Sequence, residues 1–223
     1  MCGRFTLSLP PDLVAEAFGL DDVPRLEPRY NIAPTQAVAV VRRLREGGPR
    51  QLDLLRWGVT LPAGPGERRS GPLINARSES VAARPAFRDA FRRRRCLIPA
   101  DGFYEWTADG GRRQAFHIAR KDGRPLAFAG IWEPAAPAPE GGAPAACLIL
   151  TTAPNDLLSP IHDRMPVIVD PADFDRWLAP GTGSTETLGA LFRPYPAEPL
   201  AARPVGPAVN NAQNEGAACL DPA

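Results

Sequence analysis

Hydrophobic positions come in short bursts separated by Gly and Pro, and the period of each burst assigns an element. Leu13, Val14, Ala17 and Phe18 share one face at helical spacing, so Pro11–Phe18 reads as a short amphipathic helix closed by Gly19. Arg29 to Pro34 reads as extended. Ala37–Leu44 and Leu52–Trp57 read as strands parted by a Gly47-Gly48-Pro49 turn. Pro62–Gly71 is a Gly/Pro/Arg loop. In Ala82–Arg93, Phe87 and Phe91 lie four apart, which suits a helix. Gly102–Thr107, Arg113–Arg120 and Leu126–Glu133 then read as a three-stranded meander turned at Asp109-Gly110 and Asp122-Gly123. Pro134–Pro144 is a surface loop, and Ala146–Thr152 and Pro166–Val169 are apolar strand candidates. Asp170 caps a helix running to Leu178, with Pro171 at its first position. The chain after Pro194 reads as irregular. There is no internal repeat, and local hairpins with scattered short helices argue for an α+β fold rather than a doubly wound sheet.

Composition narrows the classes. A length of 223 residues suits one domain, or a tight pair, with room for a sizeable core, and 44% hydrophobic with 23% charged residues is the balance of a globular protein. With 27 Pro and 20 Gly, much of the chain must be turns. No apolar run approaches membrane-spanning length, and the N-terminus lacks the basic-then-apolar order of a signal peptide. The net charge of +1 announces no global field for nucleic acid, so any basic surface is local. Runs such as Arg42-Arg43 and Arg92–Arg95 read first as solvated faces. The four Cys, at 2, 96, 147 and 219, form no C-x-x-C pair. That argues against a disulfide framework or a metal site and for thiols reduced in a cytosol. No cofactor is expected.

Candidate chemistry starts at Cys2. Loss of Met1 would leave an α-amine and a thiol on adjacent carbons, a 1,2-aminothiol. Such a group condenses with an aldehyde through nitrogen and closes a thiazolidine through sulfur, the second step being intramolecular. The bland alternative is a Cys at a frayed terminus. Of two His, His117 lies mid-strand in a structural or surface position, whereas His162 lies in a loop between apolar strands, where catalytic groups collect. Glu105 alternates with Tyr104 and Trp106, so it is either a carboxyl of raised pKa in an apolar wall or a Glu on a wet strand face. Asn75 either orients the Cys2 amine or an oxyanion, or serves a turn. Arg4, Arg77 and Arg164 suit phosphate, or are plain surface charge.

Taken in order, Met1-Cys2-Gly3-Arg4-Phe5, Arg29-Tyr30-Asn31-Ile32-Ala33-Pro34-Thr35, Arg56-Trp57-Gly58, Ile74-Asn75-Ala76-Arg77-Ser78-Glu79, Cys96 to Trp106 and His162-Asp163-Arg164-Met165-Pro166 resemble the SOS-response-associated peptidase (SRAP) family, whose members process abasic sites. Val209-Asn210-Asn211 also fits. The resemblance covers most of the chain. It implies a single compact α+β domain over residues 1–223, with a mainly antiparallel, barrel-like sheet core and short peripheral helices. It also implies a covalent sensor of abasic sites in single-stranded DNA, DNA-associated in the cytoplasm, monomeric and without a membrane partner. Carried over, Cys2 is the nucleophile exposed by loss of Met1, Asn75 positions it, and Glu105 and His162 handle protons. Arg4, Arg77, Thr151 and Arg164 hold DNA, and Trp57 stacks near the lesion. Family members often carry a second Trp shortly after Trp-Gly. Here Val59 to Pro65 has none, which leaves open any preference for single-strand/double-strand junctions.

Two other classes fit parts of the pattern. N-terminal-Cys amidohydrolases of the glutamine amidotransferase kind also begin Met-Cys-Gly, but continue differently from Arg4-Phe5-Thr6. A non-covalent reader of modified DNA would use the same groove without chemistry. Glutaminase assay and a denaturing gel separate these from a crosslinking protein.

Overall fold

Two sheets share the chain, and its first strand joins them. The computed structural model describes residues 2–22, 25–60, 71–109, 112–135, 144–181 and 184–223. The strands are β1 (Phe5–Leu7), β2 (Arg29–Ile32), β3 (Ala37–Arg42), β4 (Gln51–Trp57), β5 (Asn75–Arg77) and β6 (Arg95–Ala100). They continue with β7 (Gly102–Asp109), β8 (Arg112–Arg120), β9 (Leu126–Glu133), β10 (Ala146–Thr152), β11 (Met165–Pro166) and β12 (Leu200–Val205). Among the described residues, short α-helices lie around them: α1 (Pro11–Phe18), α2 (Ser78–Val81), α3 (Pro85–Arg93), α4 (Phe174–Leu178) and α5 (Thr185–Leu188). The expected loops at Pro62–Gly71 and Pro134–Pro144 and the turn after Asp109 lie largely outside the described residues, as does Met1.

Strands β3, β4, β10, β9 and β6 pair in a ring, so this sheet closes into a barrel. All but the β4–β10 pairing are antiparallel. β5 and β11 extend along the two edges of β10 beyond the ring. Closure is tight at Gly130. A Cβ there would stand 2.9 Å from Cys96 Sγ, 2.9 Å from Ile98 Cδ1 and 3.0 Å from the Leu148 carbonyl. Cys96 and Cys147 are buried without exposure in this interior, and burial pushes the Cys147 thiol up to about 12. These are inert core thiols.

The second sheet runs β12-β8-β7-β1-β2. β1 lies between β2 and β7, antiparallel to both. Its side chains alternate between two environments. Phe5 points at the barrel, its ring centroid 5.2 Å from Trp57 and 5.9 Å from Phe128, while Phe103 of β7 meets Phe128 at 5.9 Å. Burying Phe5 alone is worth about 1.5–3 kcal/mol. Thr6 points the other way, into a polar knot. Its Oγ1 donates to Asp101 Oδ1 and lies 3.2 Å from His117 Nε2, and Asp101 Oδ2 also accepts from Ser8 N at 2.5 Å and Leu9 N at 3.0 Å.

Several expectations change. β9 does not complete a meander with β7 and β8. Residues Leu126–Ile131 are buried throughout, the signature of a strand covered on both faces, and β9 lies inside the barrel between β6 and β10. The vacant edge of β8 is taken by β12, a strand in a stretch expected to be irregular. Pro204 is tolerated there because β12 is an edge. The helix expected from Ala82 starts instead at Pro85, with Arg84 extended before it, and α2 forms separately. The strand expected over Pro166–Val169 shrinks to Met165–Pro166 plus a single bridge from Ile168 to Phe128. The Asp170 cap is present, accepting from Ala172 N at 3.0 Å, but it opens a 3-10 turn that precedes α4.

The Arg92–Arg95 run is not one solvated face. Arg95 is 3% exposed and donates to the carbonyls of Trp177 at 2.6 Å, Phe91 at 2.7 Å and Arg92 at 2.8 Å, and also to Ala179. It satisfies the orphan carbonyls that end α3 and α4 and ties both to the barrel.

His117 gives this fold an acid limit. Burial pulls its pKa down to about 4, so the unfolded chain takes up the proton first. Its contribution is complete above about pH 6.5 and is lost as pH falls to about 4, an effect of up to about 3 kcal/mol. Urea titrations across that window are expected to show a steeper loss for the parent than for His117→Gln. Equal slopes would remove His117 as the cause.

Candidate active site at the N-terminal cleft

Cys2 precedes β1 and is therefore carried to the seam between the two sheets. It is fully buried, and its carbonyl accepts from Asn75 Nδ2 at 2.9 Å. Asn75 begins β5, which is aligned by its parallel pairing with β10. The chain start is thus pinned to the barrel by one hydrogen bond and to the second sheet by β1.

A cleft of about 610 Å³ opens beside this point, lined by Gly3, Arg4, Pro34, Glu105, Trp106, Arg113, His162 and Asn210. Glu105 enters it from β7 and is 2% exposed. Burial raises its pKa to about 7, placing its titration at neutral pH. His162 comes from the segment before β11, and its Nε2 lies 3.9 Å from Glu105 Oε2. Burial lowers the His162 pKa, so the ring is neutral at pH 7. Its Nδ1 has two neighbours, the Arg164 backbone N–H at 3.0 Å and Asp163 Oδ1 at 2.9 Å. An Nδ1 that accepts from the N–H carries no proton, which leaves the proton on Nε2 toward Glu105. Asp163 is 85% exposed and competes in water, so the backbone contact decides the tautomer.

Burial also holds the Cys2 thiol well above its ordinary range, and the Glu105 charge adds to this. At neutral pH the sulfur is protonated and needs a base before it can attack. A buried thiol, a carboxyl titrating near 7 and a neutral imidazole thus sit together, a set able to move a proton either way. A larger cleft, about 690 Å³, is lined by α1, residues 122–127 and Phe174 and contains none of these groups.

The expected DNA contacts divide. Arg4 is half-buried on the cleft wall, Nη1 donating to Asn31 Oδ1 at 2.6 Å and the Val209 carbonyl at 2.7 Å. Arg77 is exposed at the end of β5, on the same strand face as Asn75. Three others are placed otherwise. Trp57 has no exposure: its ring packs on Phe5 and its Nε1 donates to the Ile74 carbonyl at 3.0 Å, so it offers no stacking face. Thr151 is also fully buried, with Oγ1 3.5 Å from the Ala76 carbonyl. Arg164 is forked on Glu79 at 2.7 and 2.9 Å and on the Thr151 carbonyl at 2.6 Å. It braces the loop that carries His162 rather than projecting into solvent.

The aromatic at the cleft is Trp106. The guanidinium carbons of Arg4 and Arg113 lie 6.0 and 5.9 Å from its ring, and its Nε1 donates to Asn210 Oδ1 at 2.7 Å. Sequence reasoning missed Trp106, Arg113 and Pro34 as site residues. An aromatic beside a candidate acid was the available signal, but the contact that orients it comes from the far end of the chain. Pro34 is followed by Thr35, whose φ of 73° is rare for a β-branched residue. The Thr35 N–H to the Trp57 carbonyl, 2.8 Å, holds that bend.

A family description, SOS response associated peptidase (SRAP), matches residues 1–212. The chain belongs to the SRAP family. Among SRAP relatives it is 38% identical to the abasic site processing protein YoqW of Bacillus subtilis (strain 168), over 96% of each chain. It is 34% identical to the abasic site processing protein YedK of Escherichia coli (strain K12), over the whole of both chains. A crystal structure of a Bacteroides thetaiotaomicron protein has the same fold, with a TM-score of 0.82 at 21% identity across all of both chains.

The Glu105 carboxyl makes the SRAP cleft a source of instability at high pH. Its folded pKa lies above the ordinary carboxyl value, so its stability contribution is present at low pH and is lost as pH rises toward and through about 7. Glu105→Gln is therefore expected to gain about 1–3 kcal/mol on the parent at about pH 8 and little at about pH 4. Paired urea titrations measure this, and a gain that shrank with rising pH would contradict it.

Proposed function

We propose that this protein processes abasic sites in single-stranded DNA by covalent capture through Cys2. The observation that carries this is the tethering of Cys2 by Asn75 beside the Glu105–His162 pair, at a cleft bordered by Arg4 and Arg113. Family membership, and the names of relatives that match this chain end to end, support the same substrate class.

The reaction requires a free Cys2 amine, so Met1 must first be hydrolysed off. Deoxyribose at an abasic site opens to an aldehyde by moving the proton of its O1′ hydroxyl, a step that a carboxyl titrating near 7 can assist as acid or base. The Cys2 amine adds to C1′ and water leaves, giving an imine. The buried thiol is protonated at this stage, so nitrogen acts first. Glu105, with the His162 Nε2–H beside it, then takes the thiol proton as sulfur adds to C1′, and that proton returns to nitrogen. One aldehyde and one aminothiol become one thiazolidine and one water. Ring closure removes the imine that would otherwise allow β-elimination and strand cleavage. Enclosing Cys2 supplies the proximity that makes this second step fast.

Phosphate contacts fall to Arg77 and Arg113, both exposed, with Trp106 as a base-stacking face at the rim. Arg4 borders the sugar pocket. A net charge of +1 is compatible, because a few local arginines suffice for backbone contacts.

Intact mass with and without abasic single-stranded DNA is the direct test. Active protein is expected to lack Met1 and to gain the oligonucleotide less one water. Cys2→Ala should form no stable adduct and Cys2→Ser a labile one. Glu105→Gln should bind abasic strands normally but crosslink about 10²-fold more slowly at saturating DNA. Stable crosslinking by Cys2→Ala, or active protein retaining Met1, would overturn the reading. Glutamine hydrolysis without any adduct would point to the amidohydrolase class.

A further inference from the structure

We propose that the exposed flank of α3 is a second phosphate-binding track, which takes the backbone of the DNA strand where it leaves the cleft. Arg84, Arg88 and Arg92 are all exposed and four residues apart. Four residues of helix rise about 6 Å, so the three side chains start from one flank at intervals comparable to neighbouring phosphates of an extended strand, Arg84 from the cap position just before the helix. Phe87, Ala90 and Phe91 bury the adjoining face and fix which way this flank points.

No carboxylate among the described residues is in ion-pair contact with this flank, although the Arg92 charge, behind those of Arg94 and Arg93, helps to hold the Asp89 carboxyl low. The nearby acids are each held elsewhere: Asp89 by Arg93 at 3.2 Å and Arg94 at 2.5 Å, Glu133 by Arg94 at 2.9 Å, and Glu79 by Arg164 at 2.7 Å. Among the described residues, Arg84, Arg88 and Arg92 make no ion pair, and Arg84 rests on the Phe87 ring at 5.4 Å. In a chain of net charge +1, three such arginines in a row are a local concentration of positive field.

The track is also continuous with the site. Arg77 ends β5, its carbonyl accepts from Ser80 Oγ at 3.5 Å, and the Ser80 carbonyl accepts from Arg84 N at 3.0 Å. One helical turn thus joins the exposed Arg77, beside the Asn75 that tethers Cys2, to the head of the arginine line. A polyanionic strand matches this surface in charge and in direction. The contacts are to phosphate and carry no base preference.

This inference rests on the DNA reading above, and the experiment separates the two. Equilibrium binding is measured with single strands holding a non-reactive abasic analogue, one of about five nucleotides and one of about fifteen, over a salt series. The triple variant Arg84→Gln/Arg88→Gln/Arg92→Gln keeps good helix formers and is first checked by thermal melt. On the long strand its log–log salt slope should fall by about 2, from three lost contacts at about 0.7 each, while binding of the short strand is unchanged. The corresponding triple Lys variant should recover the parent slope and so guards against a merely structural effect. An unchanged slope for the Gln variant on the long strand, or equal losses on both strands, would overturn the track. Failure of the parent to form any adduct with a reactive abasic strand would instead overturn the proposed function and leave the slope comparison standing.

Discussion

The pairing of β1 between β2 and β7, with Phe5 wedged against Trp57 and Phe128, is the constraint on which the rest depends. Chain termini usually fray, because few contacts offset the entropy of ordering them. Here the first strand is an interior strand of its sheet, and its side chains are buried on both faces. Phe5 supplies the apolar anchor and Thr6 the polar one, through Asp101 and His117. The residue just before this strand can then be held still. Asn75 completes the tether from the opposite sheet, so the position of Cys2 depends on both halves of the fold.

Burial does a second task. The same enclosure that orders Cys2 raises its thiol, lifts Glu105 to about 7 and lowers His162. All three shifts have one main cause, the removal of water from groups that would otherwise be charged. The molecule therefore carries neutral or near-neutral reactive groups in a cleft whose rim is cationic. That combination favours proton transfer at the bottom and anion binding at the edge. It also gives up stability at neutral pH, a trade seen often at reactive sites.

Arginine serves two unrelated purposes. Arg95 and Arg164 are internal braces, holding helix ends in one case and the loop of His162 in the other. Their planar forks reach several separated acceptors at once, a geometry that the single ammonium of Lys does not reproduce. Arg77, Arg84, Arg88 and Arg92 face water. The overall charge says nothing about this division, and neither does the bare Arg92–Arg95 run, whose four members point to three different environments.

How much was legible follows from how local each cause is. Helix α1, the Asp170 cap, strands β3, β4 and β10 and the β7–β8 pair are encoded within a few residues of themselves, by apolar period, capping chemistry and alternation. Cys2, Asn75, Glu105 and His162 were also visible, because polar residues stood in otherwise apolar surroundings and in the order of a known family. What the sequence left undecided was every fact that depends on distant partners. The closure of the barrel, the transfer of β9 into it and the recruitment of β12 are set by which edges remain open after the rest has paired. Trp57 and Trp106 show the same division. Both are aromatic residues in family segments, yet only packing against Phe5 buries the first, and only Arg4, Arg113 and Asn210 hold the second at the cleft. Sequence determines which groups are available and which elements form. Which groups meet water and which meet each other is decided by tertiary structure, because burial and pairing are properties of neighbours that lie far away along the chain.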